Sequence, residues 1–191
     1  MHFKNAVILC MLYFVTVTQS AGLNEQQAAD IVDFFNDFET TTNEIPKEDI
    51  VSFGIDIGMK DMNDFTYNEA LTDAQKAQDL LILLANNDKT SDRWTKKNVS
   101  SFEVTIIVTV FRKFDEKVVN DGLIDYNELK NLVDSLSLTQ EFKDDLKGAF
   151  DTDDTAINAA ELVKAYLSVK PRKKIHSYTY MIYILVLRTE V

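Results

Sequence analysis

The stretch from Phe111 to Leu129, FRKFDEKVVNDGLIDYNEL, constrains the fold of this chain more than any other. Gly122 can turn the chain sharply, the aliphatic residue Ile124 follows two places later, and Glu128 lies four places beyond it. Apolar residues at helical spacing lie on both sides of this segment. The order of residue types therefore predicts a helix, a turning loop and a second helix.

Residues 1–21 have the composition of a secretory signal peptide. Lys4 precedes an apolar run from Ala6 to Val17, and the small residues Ser20 and Ala21 follow. The run is shorter than the roughly 20 residues that a membrane-spanning helix requires, which makes a one-span anchor the less favoured alternative. We therefore expect cleavage between Ser20 and Gly22, and a secreted or lumenal protein.

The mature chain has no cysteine, because Cys10 lies within the predicted signal peptide. Without a disulfide, its stability must come from an apolar core. From Gly22 to Val169 there are 30 Asp and Glu residues against 14 Lys and Arg, whereas residues 170–191 carry five basic residues and one acidic. An acidic body of this kind repels nucleic acids and anionic membranes and attracts cations, although acidic residues also serve simply to keep a protein soluble.

Apolar residues recur at three- and four-residue spacing through the mature chain. Two prolines and five glycines are too few to interrupt many helices, so the pattern predicts an all-α fold with an apolar core. The seven predicted apolar stripes run from Ala28 to Phe38, Ile50 to Ile57, Leu80 to Leu84, Phe102 to Phe114, Leu129 to Leu136, Phe142 to Phe150 and Leu162 to Val169.

An internal repeat links several of these helices. An aliphatic residue, three further residues, an acid and another aliphatic residue occur in that order in Ile45–Phe53, Ile124–Leu132 and Ile157–Ala165. A weaker copy surrounds Trp94, where the residue four places on is Asn98 rather than an acid. The repeat predicts four helix–loop–helix units.

A second register exists in the N-terminal half. Asp56–Glu69 has the same length and ending as Asp115–Glu128, with Asn63 at the place of Gly122. A loop at this position leaves only about twenty residues after Ile45 for an exiting and an entering helix, which is too few. We therefore treat it as the minor alternative.

With this repeat, the chain resembles the EF-hand superfamily over roughly Gln27 to Val169. The resemblance implies two lobes of paired hands, in which the eighth residue of each loop joins a short antiparallel β bridge. Carried over, Ile45 pairs with Trp94 and Ile124 pairs with Ile157. The implied domains are a signal peptide at 1–21, an N-terminal degenerate pair at 22–101, a C-terminal pair at 102–169 and a tail at 170–191.

The resemblance also allows each loop to be examined for calcium, which takes six to eight oxygen ligands at about 2.3–2.6 Å. In the first loop, Phe38–Asp49, the side-chain ligand positions contain one carboxylate, that of Asp49. In the second loop, Asn87–Asn98, Lys89 occupies a ligand position and no acid closes the loop. We expect both loops to be structural.

The third loop is irregular. Read as twelve residues, it places Lys117 and Val119 at ligand positions. Read from Asp115 to Glu128 it has fourteen, and resembles the pseudo-EF-hand of calcyclin- and calgranulin-like proteins, which bind calcium largely through backbone carbonyls. The ligands this resemblance implies are Asp115, Val118, Asn120, Leu123 and Glu128. A two-residue insertion is equally typical of a loop that has lost its metal, so both interpretations stand.

The fourth loop has the most favourable acids. Its candidate ligands are Asp151, Asp153, Asp154, Thr155 and Glu161. The loop is one residue short and lacks the turning glycine, so we expect weak binding, with a dissociation constant of about 0.1–1 mM as in extracellular calcium modules. The alternative is a solvated acidic helix start with Asp151 or Asp153 as its N-cap.

Two further features bear on processing and on the tail. Asn98, Val99 and Ser100 form an N-glycosylation sequon that a secreted route would make usable, so the protein is a possible glycoprotein. Beyond Pro171, the basic cluster KPRKK precedes an aromatic and β-branched run from Tyr178 to Leu187. That tail either folds back onto a lobe, adds to a partner or membrane surface, or has no evolved structure.

Catalytic chemistry finds little support. His176 is the single histidine of the mature chain, and without cysteine this excludes zinc chemistry and Cys–His or Ser–His nucleophiles. The sequence predicts a secreted calcium-binding EF-hand protein that is not an enzyme and acts as a low-affinity sensor or a calcium-stabilised scaffold. Its expected partners are the calcium ion and another protein, not nucleic acid or membrane. The alternative is a metal-free interaction module derived from EF-hands.

Overall fold

A computed structural model of the chain describes residues 22–39, 45–60, 62–86, 98–116, 120–136 and 138–170. In chain order the described elements are β1 (Gly22–Asn24), α1 (Glu25–Glu39), α2 (Lys47–Asp56), α3 (Asp73–Asn86), β2 (Asn98–Ser100), α4 (Ser101–Asp115), β3 (Leu123–Ile124), α5 (Tyr126–Ser135), α6 (Gln140–Lys147), β4 (Ile157–Asn158) and α7 (Ala159–Val169). The mainly helical fold is confirmed, and each predicted apolar stripe lies mainly on one of these helices. None of the described helices is both long and apolar enough to cross a bilayer.

The four strands form two small antiparallel sheets. In one sheet β1 pairs with β2, and Leu23 lies opposite Val99. In the other β3 pairs with β4, and Ile124 lies opposite Ile157. All four of these side chains are buried. The predicted pairing of Ile124 with Ile157 is therefore confirmed.

Each strand passes directly into a helix through the same reciprocal cap. The side chain of the N-cap residue accepts a hydrogen bond from the backbone N–H of the third helical residue, whose own side chain accepts one from the N-cap N–H. This capping box satisfies two donors that a helix start leaves unpaired. The N-cap and third residues are Asn24 and Gln27 for α1, Ser100 and Glu103 for α4, Asp125 and Glu128 for α5, and Asn158 and Glu161 for α7. We call the third residue of each box the closing residue.

This repeat corrects the predicted register of the second loop. The prediction placed Trp94 in the bridge and Asn98 at the closing position. In the structure Val99 lies in the bridge and Glu103 is the closing residue, five places further along the chain. Trp94 lies outside the described residues, so its predicted pairing with Ile45 is not described.

The first predicted loop also differs from the other three copies. Ile45 is fully buried, belongs to none of the described strands, and its carbonyl accepts a hydrogen bond from the Tyr67 hydroxyl at 2.8 Å. Pro46 precedes α2 and offers no side-chain cap to Asp49. The minor alternative register ends at Glu69, which lies in an exposed turn before α3 rather than at a helix start. Among the described residues of these two segments, neither the paired strand nor the capping box of the repeat occurs.

The buried apolar residues of the described ranges form one cluster. Helix α1 packs mainly along α7, and both also pack against α3. The cluster contains residues on both sides of the predicted domain boundary between residues 101 and 102. Because buried apolar area is the main source of stability, the two halves stabilise each other within the part of the chain that the structure describes.

Candidate calcium-binding loops

Asp115 organises the described part of the third loop. It is the last residue of α4 and only 2% exposed. Its two carboxylate oxygens accept hydrogen bonds from the backbone N–H groups of Asp121 and Gly122, each at 3.0 Å. Its carbonyl accepts a third from the Asn120 N–H at 3.1 Å. The carboxylate therefore folds the loop back onto the end of α4.

Burial and neighbouring negative charges destabilise the ionised form of Asp115. Burial raises the pKa of this carboxyl above its ordinary value, and the hydrogen bonds from Gly122 and Asp121 only partly offset that effect. The negative charges of Asp121 and Glu128 raise the pKa further. A cation close to Asp115 would relieve this repulsion.

The turning role predicted for Gly122 agrees with its backbone. Its φ of 92° lies in the left-handed region that favours glycine, and Asn120 has a positive φ of 57°. A Cβ at Gly122 would lie 2.8 Å from both the Ala74 Cβ and the Gln75 nitrogen at the start of α3. The glycine therefore permits both the turn and the close packing of α3 on the loop.

The start of α3 already binds one carbonyl oxygen that the resemblance assigned to calcium, that of Asn120. The Gln75 side-chain amide donates to the Asn120 carbonyl at 3.0 Å. The Thr72 hydroxyl donates to the neighbouring Asp121 carbonyl. Val118, another predicted carbonyl ligand, lies outside the described residues. The third loop is thus docked onto the start of α3 through two carbonyls, of which that of Asn120 is a predicted calcium ligand.

The remaining predicted ligands of the third loop lie around the start of α5. Leu123 is in β3, and its N–H donates to an Asp121 carboxylate oxygen at 3.0 Å. Glu128 accepts from the Asp125 N–H through Oε2 at 2.9 Å. No hydrogen-bond partner occurs for its Oε1 among the described residues. One oxygen of this closing residue therefore remains available to a ligand.

The fourth loop is described without interruption and encloses an open pocket of about 260 Å³. The pocket is lined by Phe150, Asp153, Asp154, Thr155, Ala156, Ile157 and Glu161. Four of the five predicted ligands of this loop are thus brought to one pocket. Asp151 is exposed and is not among the lining residues.

Hydrogen bonds hold this loop in shape. Asp154 accepts from the Asp151 N–H through Oδ2 at 2.9 Å, and Glu161 accepts from the Asn158 N–H through Oε2 at 2.9 Å. The Asp154 carbonyl accepts from the Tyr126 N–H at 2.9 Å, which ties the fourth loop to the start of α5. Asp154 Oδ1 and Glu161 Oε1 have no hydrogen-bond partner in the described ranges.

The donor set of this pocket suits a hard cation, since carboxylate and hydroxyl oxygens are the ligands that calcium prefers. The side chains do not yet converge. Among the described residues there is no group of three or more His, Cys, Asp or Glu positioned to hold a metal ion. Calcium at this loop would therefore have to draw its carboxylates inward.

The closing residues of the N-terminal sheet are committed to other partners. The Gln27 amide donates to the Ile57 carbonyl at 2.9 Å. Both oxygens of Glu103 are bound, by Ser100, Tyr166 and Lys170. The sequence interpretation missed both closing residues, although the phrases N-x-x-Q and S-x-x-E before apolar runs are capping-box signals that mark them.

Glu128 and Glu161, the closing residues of the C-terminal sheet, are therefore distinguished by their chemistry. Each is a carboxylate with one oxygen that is not hydrogen bonded within the described part of the chain. Comparison of the chain with protein-family models, with curated proteins and with solved structures gave no match. The function is therefore inferred from the chemistry of these residues.

Proposed function

We propose that this is a secreted EF-hand protein whose fourth loop binds calcium weakly, and that the bound ion stabilises a scaffold for another protein. The main support is the pocket at the fourth loop. Asp153, Asp154 and Glu161 line it together, and each of these carboxylates has at least one oxygen without a partner among the described residues. The pocket lies beside the β3–β4 sheet, at the place where the resemblance puts a metal ion.

The same contacts account for weak binding. Three carboxylates must converge, and they repel one another until a cation neutralises them. Binding through both oxygens of Glu161 would also give up its hydrogen bond to the Asn158 N–H, worth about 1 kcal/mol. A dissociation constant of about 0.1–1 mM, typical of extracellular modules, is compatible with these costs.

The third loop is the second candidate for calcium. The negative charge of Glu128 acts on Asp115 there and raises its pKa, but the Asn120 carbonyl is bound by Gln75. Calcium binding through that carbonyl would have to displace the contact with α3. We therefore place the first calcium ion in the fourth loop.

Calorimetric titration of the full chain with calcium tests this proposal, together with thermal unfolding at increasing calcium. At a calcium concentration ten times the dissociation constant, ligand binding should stabilise the native state by about 1.4 kcal/mol. Glu161→Gln should abolish that stabilisation, while its amide oxygen still caps α7, because Gln also serves in capping boxes.

Glu141→Gln is the matched control, since this exposed residue lies in the first turn of α6 and does not line the pocket. It should leave calcium binding unchanged. Equal loss of binding in both variants, or no calcium-dependent stabilisation of the parent, would contradict the proposal.

A metal-free interaction module is the alternative. It is favoured by the capping boxes, in which Glu128 and Glu161 already stabilise helix starts without any ion. In that case chelators should leave the melting temperature unchanged, and Glu161→Gln should behave like the parent with and without calcium. The two functions therefore predict opposite outcomes in one set of melting curves.

A further inference from the structure

We infer that Glu103 forms the centre of an ammonium-binding site, and that Lys170 of the same chain occupies it. Lys170 Nζ lies 2.8 Å from Glu103 Oε1 and 3.0 Å from Oε2. The ammonium also donates to the Asn98 carbonyl at 3.1 Å and lies 5.8 Å from the centre of the Tyr166 ring. These contacts do not involve the fourth loop, so the inference is independent of calcium binding there.

The site matches the hydrogen-bonding capacity of a primary ammonium. Such a group has three donors and no acceptor, and here it meets three oxygens. The Glu103 carboxylate also accepts from the Ser100 N–H at 2.8 Å, the Ser100 hydroxyl at 2.9 Å and the Tyr166 hydroxyl at 3.1 Å. Glu103 as a whole is 7% exposed. Because a buried charge without a partner is costly, the site requires a cation.

Glu103 occupies the same position in the repeat as two carboxylates that are candidate calcium ligands. Glu103 is the closing residue after β2, as Glu128 and Glu161 are after β3 and β4. In the latter two, one carboxylate oxygen has no hydrogen-bond partner among the described residues. At Glu103, Lys170 binds both oxygens. A lysine thus supplies, at Glu103, the positive charge that a metal ion would bring to a carboxylate at this place in the repeat.

The lysine also joins distant parts of the fold. Lys170 is the C-cap of α7, and its N–H donates to the Tyr166 carbonyl at 2.9 Å. Its side chain reaches the start of α4 and the carbonyl of Asn98 in β2. The ion pair therefore fixes the end of α7 against the β1–β2 sheet, at the residue where the basic tail sequence begins.

Chemical rescue in the full chain tests the site. Lys170→Ala should lower the melting temperature by roughly 10 °C, because it leaves a buried carboxylate unpaired. The substitution removes three side-chain carbons and the ammonium group, and propylammonium chloride supplies both. It should therefore restore part of the lost melting temperature. Tetramethylammonium chloride at equal ionic strength has no N–H donor and should not.

Lys164→Ala is the matched control, on the same helix and without a side-chain contact to Glu103. Its melting temperature should not respond to propylammonium. An unchanged melting temperature for Lys170→Ala, or equal effects of the two ammonium salts, would overturn the assignment.

A second comparison serves if Lys170→Ala does not fold. Lys170→Met removes the charge and keeps the side-chain stem, and adding Glu103→Gln removes the stranded carboxylate. The double variant should melt at a higher temperature than Lys170→Met alone. A double variant that is no more stable than the single would show that Glu103 does not require the ammonium.

Discussion

Leu23 lies directly opposite Val99 in the β1–β2 sheet, in the same relation that joins Ile124 to Ile157 in the β3–β4 sheet. In each of the four cases the next residue caps a helix and the residue three places beyond it closes the cap. The N-terminal residues of the predicted mature chain therefore form one of four equivalent units. Cleavage after Ala21, within the expected Ser20–Gly22 interval, would leave this strand intact.

The strand pairs should be sensitive to loss of apolar volume. Ile124→Ala removes a side chain that is 1% exposed and should destabilise the native state by about 2–5 kcal/mol, since it leaves a cavity at the β3–β4 pairing. Ile55→Ala is the control, because Ile55 is 51% exposed and should change stability by less than about 0.5 kcal/mol. Urea unfolding of both variants checks this, and equal effects would contradict the described packing.

Asp115 should contribute to stability whether or not the third loop binds metal. Asp115→Ala leaves the Asp121 and Gly122 N–H groups without their acceptor and should cost about 2 kcal/mol. Asp145→Ala, an exposed position on α6, should be close to neutral. Denaturant unfolding in the presence of a chelator separates this effect from calcium, and a neutral Asp115→Ala would show that the carboxylate does not hold the loop.

Gly122→Ala should be destabilising for two physical reasons. The residue would occupy a φ of 92°, and its Cβ would meet Ala74 and Gln75 at 2.8 Å, so a loss of about 2 kcal/mol or more is expected. Gly148→Ala is the comparison, because its φ of −70° is open to any residue and the change should stay below about 1 kcal/mol. Thermal melts of the two variants give the difference directly, and a Gly122→Ala variant as stable as the parent would rule out this tight packing.

The ion pair at Glu103 predicts a defined pH dependence. Burial acts to raise the pKa of this carboxyl, but the Lys170 ammonium and the Ser100 hydrogen bonds outweigh it and hold the pKa below the ordinary value of 4.5. A lowered pKa in the folded state means that Glu103 stabilises the protein above pH 4.5, and that this contribution is lost as the pH falls through the folded-state pKa.

Glu103→Gln isolates this contribution from the other carboxylates. Asp115 has the opposite sign, because a raised folded-state pKa makes its contribution fall as the pH rises. The difference in unfolding free energy between parent and Glu103→Gln should therefore shrink on acidification below pH 4.5. Urea unfolding across that range measures it, and a pH-independent difference would contradict the role assigned to the ion pair.

Local patterns in the sequence predicted a large part of this fold. The three- and four-residue spacing of apolar positions located the helices, because a helix must bury one face. The resemblance carried by Ile124, Ile157 and the glutamate four places after each implied the β3–β4 pairing, which the structure contains. The predicted closing position at Asn98 was wrong, because Asn98 lies in β2 and the capping box of this unit is formed by Ser100 and Glu103.

The candidate site was only partly predictable for a related reason. Position in the loop alone makes both Asn120 and Glu161 candidate ligands, since each has an oxygen at the expected place. Which of those oxygens is already bound depends on contacts such as Gln75 with Asn120, between segments far apart in the chain. Such contacts leave no local signature.

The sequence by itself thus determined the helical segments, because these depend on residue types within one or two turns, and the resemblance supplied the pairing of Ile124 with Ile157. Tertiary structure alone decided which of the closing carboxylates has a cationic partner. Glu103 meets Lys170 across 67 residues, whereas Glu161 faces an open pocket. The two carboxylates have the same place in the repeat, and only the packing of α7 against α4 brings an ammonium to one of them.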